Sequence, residues 1–246
     1  MYKHIITLAL VAFSFGSYAQ TADEVIQQSI DAVGGKNWEK VSSLKYSANL
    51  EQGGMKIPLE VVSMRDGRTY TKISVQGMEM IQGAFDGNVM WSTSFMTQKP
   101  EKSTAEDTEN FKRTIKDFPN ALFSYKKADY KASLEGEETV DGVVCHKIKM
   151  DKKTELVDGV EVPNIEYYFI DKDSKALIMT ETEITSGEMK GVIAQTKYSD
   201  YQEVNGVYIA FSQSMGIKDG ESQGITFEKV EANPTIDENT FMYKGE

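Results

Sequence analysis

Leu134-Glu-Gly-Glu-Glu-Thr-Val140, then Asp141-Gly142, then Val143-Val-Cys-His-Lys-Ile-Lys-Met150: two strand-like runs meet at a two-residue turn. Asp-Gly supplies the positive φ angles of a tight hairpin, because Gly has no Cβ to clash. The pattern recurs twice downstream. Ile165 to Ile170 and Ala176 to Ile184 flank the polar turn Asp171 to Lys175. Gln195 to Val204 and Val207 to Phe211 flank Asn205-Gly206. These runs are rich in β-branched and aromatic residues, which suit a pleated surface. The stretch from Leu134 to Phe211 therefore predicts a continuous antiparallel meander.

Upstream, Leu44, Tyr46, Ala48 and Leu50 alternate with polar residues, as a half-buried strand requires. Gly53-Gly54, Asp66-Gly67, Gln76-Gly77 and Asp86-Gly87 then separate further runs up to Phe95. Pro58 sits inside one of them and predicts an edge or a bulge, since it cannot donate to a ladder. Downstream, Asp158-Gly159 and Asp219-Gly220 add turns, Gln213 to Ile217 and Ser222 to Glu231 add strands, and Phe241-Met-Tyr243 ends a tail that docks by its aromatics.

Two segments have helical spacing instead. Thr21-Ala-Asp-Glu24 forms a capping box before Val25, Ile26, Ile30 and Val33, and Gly34-Gly35 ends that helix. Between Thr97 and Lys131 the strand pattern breaks. Ser103-Thr-Ala-Glu106 reads as a second capping box, and Phe111, Ile115 and Phe118 share one helical face before Pro119. Ala121, Leu122, Phe123 and Tyr125 form a second short helical cluster. This insert reads as a lid or plug laid against the sheet.

The chain opens with Lys3, an apolar run from Ile5 to Phe15, and small residues at Ser17 and Ala19, the pattern of a signal peptide over residues 1–19 cleaved before Gln20. The run is too short to span a bilayer. No Cys lies near the cleavage point to carry a lipid anchor. Residues 20–246 then read as one exported domain, free in the periplasm. The formal net charge is −11, and export removes Lys3. Such a surface repels phosphate backbones, so nucleic acid is an unsuitable partner.

Chemistry is poorly supplied. Past residue 19 the chain has one Cys and one His, the adjacent Cys145 and His146. A lone Cys forms no internal disulfide, and the pair alone makes no transition-metal site. On a strand, Cys145 should be buried and His146 should face the opposite, wetter side. There is no nucleophile elbow, zinc-protease helix, phosphate loop or dinucleotide fingerprint. Glu181 and Glu183 share a strand face, and Asp171 with Asp173 share a turn; a solvated face and a polar turn account for them. No catalytic group, metal or cofactor is expected. The apolar supply is richer. Of 12 Met, six fall in one span: Met55, Met64, Met78, Met80, Met90 and Met96. Met suits adaptable apolar surfaces as well as core filling.

Three features together resemble the LolA/LolB-like superfamily of bacterial lipoprotein carriers, especially outer-membrane lipoprotein-sorting proteins. They are the helix ending Ala32-Val-Gly-Gly-Lys36 before Val41-Ser-Ser-Leu44; the hairpin Leu134 to Ile148 followed by Tyr168-Phe-Ile-Asp171; and Tyr198 to Val207 followed by Ile225 to Pro234. The resemblance covers nearly the whole chain past residue 19. It implies a mainly β fold with helices (α+β): a curved antiparallel sheet forming an incomplete β-barrel, closed by the N-terminal helix and a helical lid. The turn signals put the strand number at about eleven. It also implies an apolar cavity that holds lipoprotein acyl chains or another lipid without chemistry. In such carriers an Arg on an early strand holds the lid. Arg65 is the nearest match, with Arg68 the alternative, since Asp66 stands where the carriers have Pro. Trp91, Phe95, Met96, Phe111, Ile115 and Phe123 are the candidates to line cavity and lid. A non-catalytic envelope interaction module that docks a protein partner is the alternative function.

Overall fold

The turns form as their sequences require. Asp141-Gly142 and Asn205-Gly206 each place two successive residues at positive φ, +49° and +87° in one and +52° and +82° in the other. The computed structural model describes residues 20–75 and 77–245. The expected signal peptide, residues 1–19, lies outside them.

Helix α1 (Ala22–Ala32) begins at the Thr21 capping box and is followed by a 3-10 turn, Gly35–Lys40. Six strands come next: β1 (Ser43–Gln52), β2 (Met55–Met64), β3 (Thr69–Val75), β4 (Met78–Phe85), β5 (Met90–Thr93) and β6 (Pro100–Lys102). Helices α2 (Ala105–Thr114) and α3 (Ala121–Ala128) form the insert. Then follow β7 (Lys131–Val140), β8 (Val143–Asp151), the short hairpin β9 (Glu155–Val157) and β10 (Val160–Val162), and β11 (Ile165–Asp171). β12 (Leu177–Glu183), β13 (Ile193–Val204), β14 (Val207–Ile217) and β15 (Ser222–Ala232) complete the sheet, and a 3-10 turn at Glu238–Thr240 precedes the tail.

Among the described residues, thirteen strands make one antiparallel sheet in the order β6-β5-β4-β3-β2-β1-β15-β14-β13-β12-β11-β8-β7, with β9 and β10 paired apart. The sheet is not closed: β6 and β7 are its edges, and the helical insert connects them. The count exceeds the expected eleven because β6, β9 and β10 have three residues each, too few for any period to register. Gln213 to Ile217 is also no separate strand but the continuation of β14. Pro58 sits in an interior strand, not at an edge; the ladder from β2 to β3 starts at Leu59, so the missing N–H breaks no bond there.

Alternation gives the sheet two different faces. On the inner face Leu44 and Ala48 of β1 pack with Trp38, Phe118, Phe211 and Phe227. Farther along it, Ile148, Met150, Tyr168 and Ile170 pack with Val25 and Ile26 of α1 and Leu122 and Tyr125 of α3. On the outer face Val62, Tyr70, Ala84 and Trp91 are covered by Phe241 of the tail. Cys145, Val140, Phe169 and Met179 form a smaller outer cluster.

Cys145 is fully buried as expected. His146 is not on a wet face: it pairs with Ile170 on the inner side and is 5 % exposed, because the insert and α1 cover that side too. The second capping box is shifted by one residue. Thr104, not Ser103, is the N-cap, and its partner is Asp107.

Candidate functional site

α2 and α3 lie over the inner face, and the candidate site lies under them. Phe111 of α2 stacks against Phe85 of β4, ring centroids 4.9 Å apart. Ile115, the C-cap of α2, reaches Gly67 in the β2–β3 turn. A Cβ added to Gly67 would stand 2.7 Å from the Ile115 Cβ, and its φ is +96°, so only glycine lets the two segments approach. Phe123 of α3 meets Trp38 edge-on at 5.4 Å. Beneath these side chains are two small compartments. One, of about 350 Å³, is lined by Leu44, Tyr46, Met64, Phe111, Ile115 and Phe118 among others. The second, of about 220 Å³, is lined by Trp38, Leu122, Phe123, Leu177, Tyr198 and Ile209 among others. Tyr46 and Pro119 border both. Ligand pockets run to roughly 300–1,000 Å³; the larger compartment is at the low end of that range and the smaller is below it, with Phe111, Ile115 and Phe118 lining the one and Phe123 the other.

Arg65 holds this arrangement from the β2 side. Its guanidinium donates to the carbonyls of Trp38 and Val41 and lies 4.9 Å from the Phe118 ring centroid. The alternative, Arg68, turns outward. It pairs with Asp66 and Glu238 and stacks on Phe241, so it fastens the tail instead.

A half-buried ion cluster ties the lid to the sheet on the other side. Lys152, just past β8, lies 3.2 Å from Asp117 in the α2–α3 connection and 3.3 Å from Glu166 of β11. Tyr168 donates to Glu166 at 2.6 Å, and Ser124 donates to Asp117 at 2.8 Å. Burial works against the charge on Lys152, but Glu166 and Asp117 outweigh it and hold the ammonium above its ordinary pKa. Lys152 also borders the larger compartment. Reading the sequence by motif missed these residues. The signal present was Glu166 two positions before Tyr168, which puts both on one strand face.

α2 is fastened laterally to the β9–β10 hairpin. Asn110 exchanges two hydrogen bonds with the Leu156 backbone, at 2.8 and 2.7 Å. The Glu106 carboxylate accepts from the Asp158 and Gly159 amides. Arg113 grips Glu161 with two nitrogens, at 2.6 and 2.9 Å, and pulls its pKa down to about 2. α2 and the hairpin thus form one unit.

Of the sequence candidates, Arg65, Phe111, Ile115 and Phe123 converge at this site. Trp91 does not. It lies on the outer face, 6 % exposed, and its indole donates to the Phe241 carbonyl at 2.8 Å. Phe95 and Met96 project into solvent from the β5–β6 loop, 64 and 95 % exposed. The strand ends at Thr93, before the alternation could turn them inward. A cleft of about 360 Å³ on the outer face, around Glu181, Gln195 and Lys218, is polar and open and shares no residue with the lid. Among the described residues no group of three or more His, Cys, Asp and Glu is placed to hold a metal ion.

An unclosed antiparallel sheet with helices against its inner face is also the architecture of solved structures this chain matches along most of its length. A DUF1329 family protein from Desulfovibrio piger superposes with a TM-score of 0.58 at 14 % identity, covering 92 % of this chain and 98 % of its own. A LolA superfamily protein from Nitrosomonas europaea gives 0.54 at 13 % identity, over 90 % and 97 %. The fold is LolA-like. A Vibrio parahaemolyticus domain described as outer membrane lipoprotein-sorting shares this LolA-like fold, with a TM-score of 0.54, 12 % identity, and coverage of 89 % and 95 %. At these identities the likeness is one of fold. No protein-family model matches the sequence, and no curated protein matches it.

Proposed function

We propose that this protein is a non-catalytic carrier of the bacterial periplasm, which holds lipid acyl chains, those of lipoproteins included, between the inner face of the sheet and the α2–α3 lid. One observation carries the reading. The inner face has two compartments under the lid, and the α2 half of that lid, with Phe111 and Ile115, is joined to the rest by polar ties at its margins, while Leu122 and Tyr125 keep α3 in the core. Such a plug can be exchanged for a chain of similar character. Each buried methylene contributes about 0.8 kcal/mol, so a long acyl chain offsets the loss of the plug contacts without any polar anchor. Arg65 is the latch in this reading, and the LolA-like fold and the export signal in residues 1–19 are consistent with it.

The titratable groups give little support to catalysis. Burial first, then Asp171 and Glu138, push the Cys145 thiol up to about 11. His146 is held below its ordinary pKa by burial and by Lys172.

Native mass spectrometry of the purified protein tests the proposal. Bound lipid, released on denaturation, is the expected result. A protein that purifies empty and stays empty after incubation with mixed envelope lipids contradicts it, and favours an interaction module with a filled interior.

A further inference from the structure

The two margins of the sheet differ in chemistry. In an antiparallel sheet of this strand order, connections alternate between margins. One margin carries tight polar turns: β2–β3 at Arg65-Asp-Gly-Arg68, β4–β5 at Asp86-Gly-Asn88, β7–β8 at Asp141-Gly142, β11–β12 at Asp171 to Lys175, and β13–β14 at Asn205-Gly206. The other margin carries β5–β6, β3–β4, β1–β2, β14–β15, β12–β13 and the β9–β10 hairpin, neighbours in that order. Ten large hydrophobic side chains stand exposed among the described residues. Seven belong to this second margin. Phe95 and Met96 are in the β5–β6 loop, Met78 starts β4, and Met55 starts β2. Met215 is near the end of β14, Met189 is in the β12–β13 loop, and Val160 starts β10. Every connection on that margin has at least one.

Contacts place these connections side by side. Gln98 reaches the Met78 sulfur at 3.6 Å. Gly53, Met189 and Met215 line one cleft of about 690 Å³. Thr185 of the β12–β13 loop hydrogen-bonds Glu155 of β9. A second cleft, of about 720 Å³, lies between that loop and the hairpin and runs in to Lys152 and Glu166. Lys152 also borders the larger compartment under the lid. The apolar margin is therefore one onto which the interior opens; the larger compartment also reaches Gly67 and Arg68 of the β2–β3 turn.

We infer that this margin is a membrane-docking edge, which seats Met55, Met78, Phe95, Met96, Met189 and Met215 in the interfacial layer of a lipid bilayer. Single apolar side chains on separate hairpin tips make points, not the contiguous patch a protein interface packs around. A bilayer surface accepts such points one by one, and their exposed area sets the affinity. Charge separates this mode from a polybasic one. Lys56, Lys99, Lys190 and Lys218 along the margin alternate with Glu51, Glu79, Glu188 and Asp219, and the whole chain is at −11. Attraction to anionic headgroups is thus no part of the binding, and neutral, zwitterionic lipid is the surface that fits. The inference deepens the carrier reading, since the docked edge faces the cleft by which an acyl chain would enter.

The test is flotation of the purified protein with phosphatidylcholine vesicles at low and high salt, for wild type and for Met55→Ser/Met78→Ser/Phe95→Ser/Met96→Ser. All four side chains are exposed, so the variant folds, and unchanged circular dichroism checks that it does. Wild type is expected to float with the vesicles at both salt concentrations, and the variant to bind at least tenfold more weakly. Val144→Ser, on the opposite margin, is expected to bind as wild type does. Binding that salt abolishes, binding equal in all variants, or no binding overturns the inference. So does a wild-type dimer in sedimentation that the fourfold variant dissociates, which would assign the edge to a second copy of this chain. Uptake of a fluorescent fatty acid from vesicle-free solution reads the interior separately. Uptake without flotation removes the docking edge alone, and flotation without uptake removes the carrier reading alone.

Discussion

Gly67 is the residue on which the lid's closeness to the sheet depends. Its φ of +96° and the 2.7 Å approach of Ile115 to the position of a Cβ both oppose any side chain. Gly67→Ala is expected to cost at least ~1 kcal/mol in urea unfolding, because alanine at positive φ is strained whatever the space. An equal stability would mean that α2 is not seated there. Cys145 gives a second prediction at this scale. A thiol pushed up to about 11 is almost wholly protonated at pH 8, so the native protein should react with a disulfide reagent far more slowly than the urea-unfolded chain. Similar rates in the two states would place the thiol outside the Val140, Phe169 and Met179 cluster.

At the scale of elements, the ties of the lid include Arg65, the Lys152 cluster and the α2–hairpin clamp, beside the Tyr125 and Lys126 contacts with Asp23 of α1 and the Thr108 bond to Met90. Arg65→Leu removes the bonds to Trp38 and Val41 and the contact with Phe118. Faster hydrogen exchange in residues 111–128 is the expected result, with β8 and β11 unchanged; uniform acceleration would mean that Arg65 supports the whole fold instead. The clamp responds to acid. The Glu161 carboxylate titrates near 4.5 when free and at about 2 beside Arg113. Its favourable pairing is thus complete above pH 4.5 and is lost as the pH falls towards 2. Exchange in β9 and β10 should rise over that window in wild type, and should already be raised at pH 7 in Arg113→Ala. Pairing of α2 with the hairpin was not legible in the sequence, because Glu106, Asn110 and Arg113 look like an ordinary solvated helix face. Their partners lie 41 to 53 residues away and are largely backbone groups.

Across the whole molecule, the sheet was legible because Asp-Gly and Asn-Gly turns with alternating strands are local signals. The two short helices and the Thr21 capping box were legible for the same reason, whereas the second box was placed one residue early. The three-residue strands were not, since they exist only through their partners. Of the site, Phe111 and Ile115 could be read from helical spacing and Phe123 from the second short cluster, and Arg65 from resemblance; Phe118, read onto the same helix, lies past its end at Thr114. Trp91 was assigned to the wrong face because alternation tells that two faces exist, not which one a C-terminal tail will cover. The Asp117, Lys152 and Glu166 cluster joins three segments distant in sequence, so no local pattern announces it.

The central claim is that the interior under α2 and α3 accepts an acyl chain in place of its own side chains. Fluorescence titration with a fatty acid whose emission rises in apolar surroundings tests it most directly. The account predicts saturable binding to the wild type and at least tenfold weaker binding to Phe111→Asp, which keeps α2 but puts a charge against Phe85. No saturable signal from the wild type, or the same signal from both proteins, would contradict it.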